Sequence, residues 1–329
     1  GLSTTEWNLE TMGLNNWRMG VRTALAVAGL ATVVMGVGAC RKASEDPAPA
    51  AAVSLPDARR GFQTQLREKN RIGNPAPDPP ANLFEKVHYQ APVGDLVAYV
   101  SKAPESGKRL PAIIWLVGGF ASGVSEVAWE RAEEDNDQSA RAFREAGIVL
   151  MLPSYRGGNT NPGHQEGFFG EVDDVLAAVE FLANRPEVDP ERIYLGGHST
   201  GGTLALLVAA STDRFRAVFS FGPTASTSDY GQDYLPYDIL EAEETRLRAP
   251  IGFLNAITSP TFVFEGTSDP TNIDALREMK GVPHGAVRFH PVVGRTHFSV
   301  LGPMTRIIAR KILADQDGIK AFTKSELGG

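Results

Sequence analysis

The sequence predicts an α/β protein with a mostly parallel central sheet and helices on both faces. Three observations point there. From Phe84 onward, short β-prone runs alternate with helical runs. Near the middle, Gly197-His198-Ser199-Thr200-Gly201 is wedged between an apolar strand and an apolar helix. Beyond it, an acidic residue and then a histidine stand in loops that follow strands.

The elements follow in order. Val87-His88-Tyr89 and Leu96 to Val100 read as an antiparallel pair turning at Pro92-Val93-Gly94-Asp95. Ala112 to Val117 is a continuous apolar run, as expected of a strand buried on both faces. Ser139 to Ala146 fits a helix, and Ile148 to Leu152 the next strand, stopped by Pro153. Glu171 to Leu182 is amphipathic, with Val172, Val175, Leu176, Val179 and Leu182 at helical spacing. Its Glu171, Asp173 and Asp174 read as first-turn charges that complement the helix dipole. Arg192 to Gly196 is a short strand, and Thr203 to Ala210 starts a buried helix. A strand at Ala217 to Phe221 leads into a polar, Tyr-rich excursion from Thr224 to Glu244. A strand at Thr261 to Phe264, a helix from near Asn272 and a strand at Ala286 to His290 come next. Val300 to Leu313 closes the chain with Leu301, Met304, Ile308 and Ile312 on one face.

Strand, sharp turn, helix is the context in which G-x-S-x-G marks a nucleophile. The turn strains the serine backbone, and the flanking glycines avoid collision with neighbouring elements. Ser199 Oγ would then project above the sheet beside N–H groups at a helix N-terminus. A serine needs a base to take its proton and an acid to hold that base. In the order Ser…Asp/Glu…His, Asp269 is the expected acid and His297 the expected base. Glu265 and Asp274 are rivals for the acid, Glu265 standing close to its strand and Asp274 in a helix. His290 and His284 are rivals for the base. The oxyanion donors are expected to be Thr200 N–H and Gly119 N–H, the latter in Gly118-Gly119-Phe120. Phe120, Tyr230 and Tyr234 are candidate substrate-pocket residues, with Tyr237 beside them. His198 reads as structural, and Arg156 as an ion partner that organises its loop.

Arg18 and Arg22 precede an apolar stretch from Ala24 to Val37, suited to a signal-peptide core. It ends in Val37-Gly38-Ala39-Cys40, which resembles the lipobox of bacterial lipoproteins, with Cys40 the lipidation site. Met12 and Met19 are both candidate initiators. The expected organisation is an extension and signal peptide over 1–39, an Ala/Pro-rich tether over 40–56 and a catalytic domain over 57–329. The expected location is the bacterial cell envelope, with the membrane engaged only through the lipid. Cys40 is the single cysteine, so no disulfide framework exists. Net charge is -7 and the pI ≈ 5.5, which argues against a nucleic-acid partner. With no H-E-x-x-H and no Cys/His cluster, no metal or other cofactor is expected.

Together these residues resemble the prolyl oligopeptidase-like branch of the α/β-hydrolases. The similarity is strongest in Pro153 to Gly158, Val172-Asp173-Asp174-Val175, Arg185 to Ile193 and Gly196 to Gly202. It covers most of Leu110 to Leu313 and implies an α/β-hydrolase fold and an acyl-enzyme hydrolase of esters or amides. The chain departs from that pattern in three ways. The region before the hydrolase is too short for a β-propeller, Val117 stands where a His or Tyr is common, and no Glu pair stands out for a peptide N-terminus. The departures favour a carboxylesterase on small esters, with a short-peptide or acylaminoacyl peptidase as the alternative. A non-catalytic binding protein on the same fold is the further alternative.

Overall fold

Eight strands form one sheet in the order β1-β2-β4-β3-β5-β6-β7-β8. The computed structural model describes residues 52–104, 107–268 and 272–329. The expected signal segment, Cys40, most of the tether and Asp269 lie outside the described residues. Strand β1 (Phe84–Ala91) pairs antiparallel with β2 (Gly94–Ser101), and β2 pairs antiparallel with β4 (Val149–Pro153). All other pairings are parallel: β3 (Leu110–Leu116) lies between β4 and β5 (Val188–His198), followed by β6 (Val218–Phe221), β7 (Thr261–Gly266) and β8 (Val287–Val292). The architecture is the α/β-hydrolase fold that the resemblance implied.

The apolar runs explain the layering. Nearly every residue of β3, β4, β6 and β7 is buried, because helices cover both faces of the sheet. On one face, α1 (Leu55–Arg59), α3 (Glu171–Ala183), α4 (Thr200–Ala209) and α6 (Ile273–Lys280) share a core with Ile114, Leu116, Leu195 and Val263. On the other, α2 (Arg141–Glu145) and α7 (Leu301–Ala314) pack on Ile113, Trp115, Tyr194 and Phe262. Every residue of α4 is buried, as its uniformly apolar sequence requires. The short α5 (Ala242–Arg246) ends the excursion after β6.

Three boundaries differ from the sequence reading for local reasons. Helix α1 begins inside the expected tether, where Leu55 is fully buried and its N–H donates to the Ala210 carbonyl. Helix α2 starts at Arg141 rather than Ser139, because Ala140 is left-handed (φ 51) and the Ser139 hydroxyl caps the Arg141 N–H. Strand β5 begins four residues before Arg192, since Val188 already pairs with Leu110 across an irregular register.

Candidate active site

The elbow stands where β5 meets α4. Ser199 is the residue between them and has φ 55 and ψ -116, a backbone region that L side chains rarely adopt. Its N–H donates to the Phe221 carbonyl on β6 at 2.7 Å, so the strain is held by the neighbouring strand. The flanking glycines are required by contact. A Cβ on Gly201 would collide with the Leu116 carbonyl of β3, and one on Gly197 with the Gly201 carbonyl. Ser199 is half-buried, while the residues on either side are buried.

His297 reaches this point from the loop between β8 and α7. Its ring is 3% exposed, and Nδ1 lies 2.8 Å from Glu265 Oε2. Glu265 is itself fully buried, and its Oε1 accepts the Gly266 N–H at 2.6 Å. The ring and carboxylate press against Gly222, the residue after Phe221, where any Cβ would strike the imidazole. The Ser199 strap and the His297 pair therefore share one short stretch, Phe221-Gly222. With Nδ1–H given to a carboxylate, Nε2 is the basic nitrogen. Of the rivals named for the acid, Glu265 is thus the carboxylate seen on the base, and Asp274 is exposed and paired with Arg277. The sequence places Glu265 behind Asp269 because it stands close to its strand. Its place next to the last residue of β7 instead lets the long side chain reach His297 in the loop after β8. His290 is in β8 and stacks on Phe264, and His284 lies outside this cluster.

His198 supports the same loop. Its Nε2 lies 3.0 Å from the His297 carbonyl oxygen and its Nδ1 3.1 Å from Gln138 Oε1. Burial, and then the neighbouring His297, push its pKa well below the ordinary value, so the ring is neutral. A neutral imidazole donates through one nitrogen only, so its single N–H goes either to the His297 carbonyl or to Gln138 Oε1.

The turn after β3 passes close to the nucleophile. A Cβ on Gly118 would come within 3.3 Å of Ser199 Cβ. Thr200 Oγ1 donates to the Gly119 carbonyl at 2.7 Å, which ties this loop to the first turn of α4. Thr200 N–H is among the first amides of α4, which lack partners within the helix.

A pocket of ≈ 70 Å³ opens beside these residues. Its lining includes Gly118, Gly119, Phe120, Tyr155, Glu171, Thr200 and Tyr234. Phe120 stacks on Tyr234 with ring centroids 5.0 Å apart. Of the three expected pocket residues, Phe120 and Tyr234 line the cavity. Tyr230 packs behind Phe120 and its hydroxyl bonds Thr203 at 2.7 Å, so it supports the wall instead. Tyr237 is fully buried against Arg248 and bonds Thr227.

Arg156 organises its loop as expected. Its guanidinium takes Asp174 with two bonds, at 3.0 and 2.8 Å, and Glu166 at 2.7 Å. Glu171, Asp173 and Asp174 stand in the first turn of α3 as expected, but Glu171 and Asp174 are buried and only Asp173 is exposed. Burial raises the pKa of Glu171 and of Asp174, against the opposing pull of Arg156.

A family model described as the prolyl oligopeptidase family matches residues 135–273. That span holds the elbow and Glu265. The chain is 27% identical over 141 residues to the uncharacterized peptidase YtmA of Bacillus subtilis, across 39% of this chain and 54% of that protein. The chain thus spans about half the length of that relative. Among solved structures, the fold resembles the acylaminoacyl peptidase of Pyrococcus horikoshii, with a TM-score of 0.58 and 16% identity over 76% of this chain and 45% of that one. It also resembles an esterase of Pyrobaculum calidifontis, with a TM-score of 0.52 and 19% identity over 71% of this chain and 86% of that one.

Proposed function

We propose that this chain is a serine hydrolase that cleaves small carboxylic esters through an acyl-enzyme on Ser199. The observation that carries the reading is the strained Ser199 elbow set against a buried histidine–carboxylate pair. In this reading Ser199 Oγ attacks the ester carbonyl carbon while His297 Nε2 takes its proton. The N–H groups of Gly119 and Thr200 receive the oxyanion, and the tie between Thr200 Oγ1 and Gly119 holds the two donors together. His297 then gives its proton to the departing alkoxide. Water, deprotonated by the same nitrogen, attacks the acyl carbon and frees the acid. The matched family and the peptidase and esterase folds support the hydrolase class. Val117 in place of a hydroxyl-bearing side chain, and a pocket of modest size, favour esters. The family match favours a second reading, hydrolysis of short peptides or acylaminoacyl amides.

A p-nitrophenyl ester series, set against aminoacyl p-nitroanilides with Ser199→Ala as control, tests this. Turnover of short esters, abolished in the variant, is expected. Preference for anilides would shift the reading to a peptidase, and full activity in Ser199→Ala would end it. Glu265 supplies the carboxylate that orients His297, so Glu265→Gln should lower kcat/KM by about 10³-fold or more. Asp269, which chain order favoured, is compared directly as Asp269→Asn, with a loss under about tenfold expected. A larger loss there would return the acid role to Asp269. We also propose that Cys40 carries the lipid, placing the enzyme on the cell envelope. Cys40→Ala should move the protein from the membrane fraction to the soluble one.

A further inference from the structure

The turn after β3 carries one of the two oxyanion donors, and its backbone is tied down by side chains. Among the described residues, the main chain of Gly118, Gly119 and Phe120 makes no hydrogen bond to main chain elsewhere. Gly119 has φ 93, and a Cβ there would meet open space, so nothing packs against that side of the turn. Two side chains bond its carbonyls instead. Thr200 Oγ1 donates to the Gly119 carbonyl at 2.7 Å, and Gln165 Nε2 donates to the Phe120 carbonyl at 2.9 Å. A carbonyl only accepts, so the Gln165 amide turns its NH₂ toward Phe120. Peptide groups are planar, so these two bonds restrain the planes on either side of the Phe120 Cα. Before the turn, Leu116 is fixed by its pairing with Gly197. The Gly119 N–H lies between these restraints.

Gln165 stands on a firm footing. Its own N–H donates to the Asn70 carbonyl at 3.0 Å. Asn70 belongs to the segment between α1 and β1, which also gives the Ile72 N–H to the Gly157 carbonyl at 2.8 Å. A Cβ on Gly157 would come within 2.6 Å of the Gln165 nitrogen and 2.9 Å of the Asn70 oxygen. Three backbones therefore cross at Gly157 with no room for a side chain. Next along the chain, Glu166 Oε1 accepts from Arg156 Nη1 at 2.7 Å. With its backbone held on both counts, the Gln165 side chain acts as a post of set length. Gln165 lines the same pocket as Gly119, Phe120 and Thr200.

We propose that Gln165 is a positioning residue for the oxyanion site: its hold on the Phe120 carbonyl keeps the Gly119 N–H aimed at the oxygen of the tetrahedral intermediate. The proposal rests on the serine hydrolase reading above. Oxyanion donors work by being in place before the charge develops. Once the post is removed, the Gly119 N–H must be ordered during the reaction. The loss then falls on the tetrahedral state and hardly on the planar carbonyl of the bound substrate. No bond forms or breaks at Gln165, and no proton leaves it.

Two variants and a pair of ketones test it. Gln165→Met keeps the length of the side chain and removes the donor. Gln165→Glu donates only while its carboxyl is protonated, and a bond given by that form raises its pKa above the usual value of about 4.3. Values of kcat/KM on a p-nitrophenyl ester are taken from pH 5 to pH 8 as ratios to the wild type, which cancels the titration of His297. Active enzyme is counted by fluorophosphonate titration. Gln165→Met should lose about tenfold at every pH. Gln165→Glu should match that loss at pH 8 and recover severalfold by pH 5. A trifluoromethyl ketone, which Ser199 converts to a tetrahedral adduct bearing the oxyanion, should bind Gln165→Met about tenfold more weakly. The matching methyl ketone, which stays planar, should shift less than about twofold. A Gln165→Met variant as active as the wild type, or an equal shift of both ketones, overturns the proposal. Should Gln165→Met not fold, the Gln165→Glu ratio decides, and a ratio flat from pH 5 to pH 8 overturns it. A wild type that neither turns over esters nor forms the adduct would instead overturn the hydrolase reading, and this proposal with it.

Discussion

At the scale of single residues, the site is a set of local costs offset by neighbours. Ser199 carries backbone strain of about 1–3 kcal/mol, held by its N–H bond to Phe221 and by the packing of Gly197 and Gly201. Gly222 is a contact requirement of the same kind. Gly222→Ala would drive a methyl into the His297 ring, so kcat should fall at least about a hundredfold while far-UV circular dichroism stays native. Glu171 shows the opposite economy, in which the folded chain holds a carboxyl at a disadvantage. Its pKa is raised from 4.5 by burial, with Asp174 adding to the rise and Arg156 opposing it. Below pH 4.5 the carboxyl is protonated folded or unfolded, and it costs nothing. As pH rises, the unfolded chain ionises first, and the cost grows until the folded carboxyl has ionised too. Glu171→Gln should therefore raise the melting temperature at neutral pH, and the gain should vanish as the pH falls toward 4. An unchanged or lowered melting temperature at neutral pH would contradict this. Chain order and the glycine spacing made Ser199 and His297 legible in the sequence. Glu171 was not, because a first-turn acid on a helix reads the same whether water or a pocket faces it. Glu265 was undervalued because a sequence does not show how far a side chain at a strand end will reach.

At the scale of elements, the strands were read well and the loops less so. Strands β3, β4, β6 and β7 are buried on both faces, and continuous apolar runs announce such strands. Helix α1 was hidden because Leu55-Pro56 follows an Ala/Pro-rich stretch with no periodicity. Yet α1 matters to the site. Its Arg59 binds three loop carbonyls and lies over the Phe169 ring at 4.3 Å, next to the pocket residue Phe168. Arg59→Ala leaves those carbonyls without their donor and should cost about 2–4 kcal/mol, read as a lower denaturant midpoint. A shift under about 0.5 kcal/mol would show that water replaces the guanidinium. The excursion after β6 was expected to present three tyrosines to a substrate. Only Tyr234 lines the pocket, because the hydroxyls of Tyr230 and Tyr237 find partners within the domain. Periodicity cannot foretell such pairings, which depend on residues distant in sequence.

At the scale of the whole molecule, the parallel strands aim their C-terminal ends at one edge of the sheet, where the loops after β3, β4, β5 and β7 meet. That convergence gathers Gly119, Tyr155, Ser199 and Glu265 from separate parts of the chain. The alternation of strands and helices made the fold class readable, and the elbow located the site on it. The pairing of Arg156 with Asp174 was readable only as a type of contact, since two oppositely charged residues 18 positions apart have many other partners open to them. The central claim is that Ser199 is an activated nucleophile, and covalent labelling tests it most directly. The purified protein is incubated with a fluorophosphonate, its intact mass is measured, and the adduct is located by peptide mapping. The expected result is a single stoichiometric adduct on Ser199, absent in Ser199→Ala and strongly slowed in His297→Ala. No adduct on folded protein, or an adduct on any other residue, would contradict the claim.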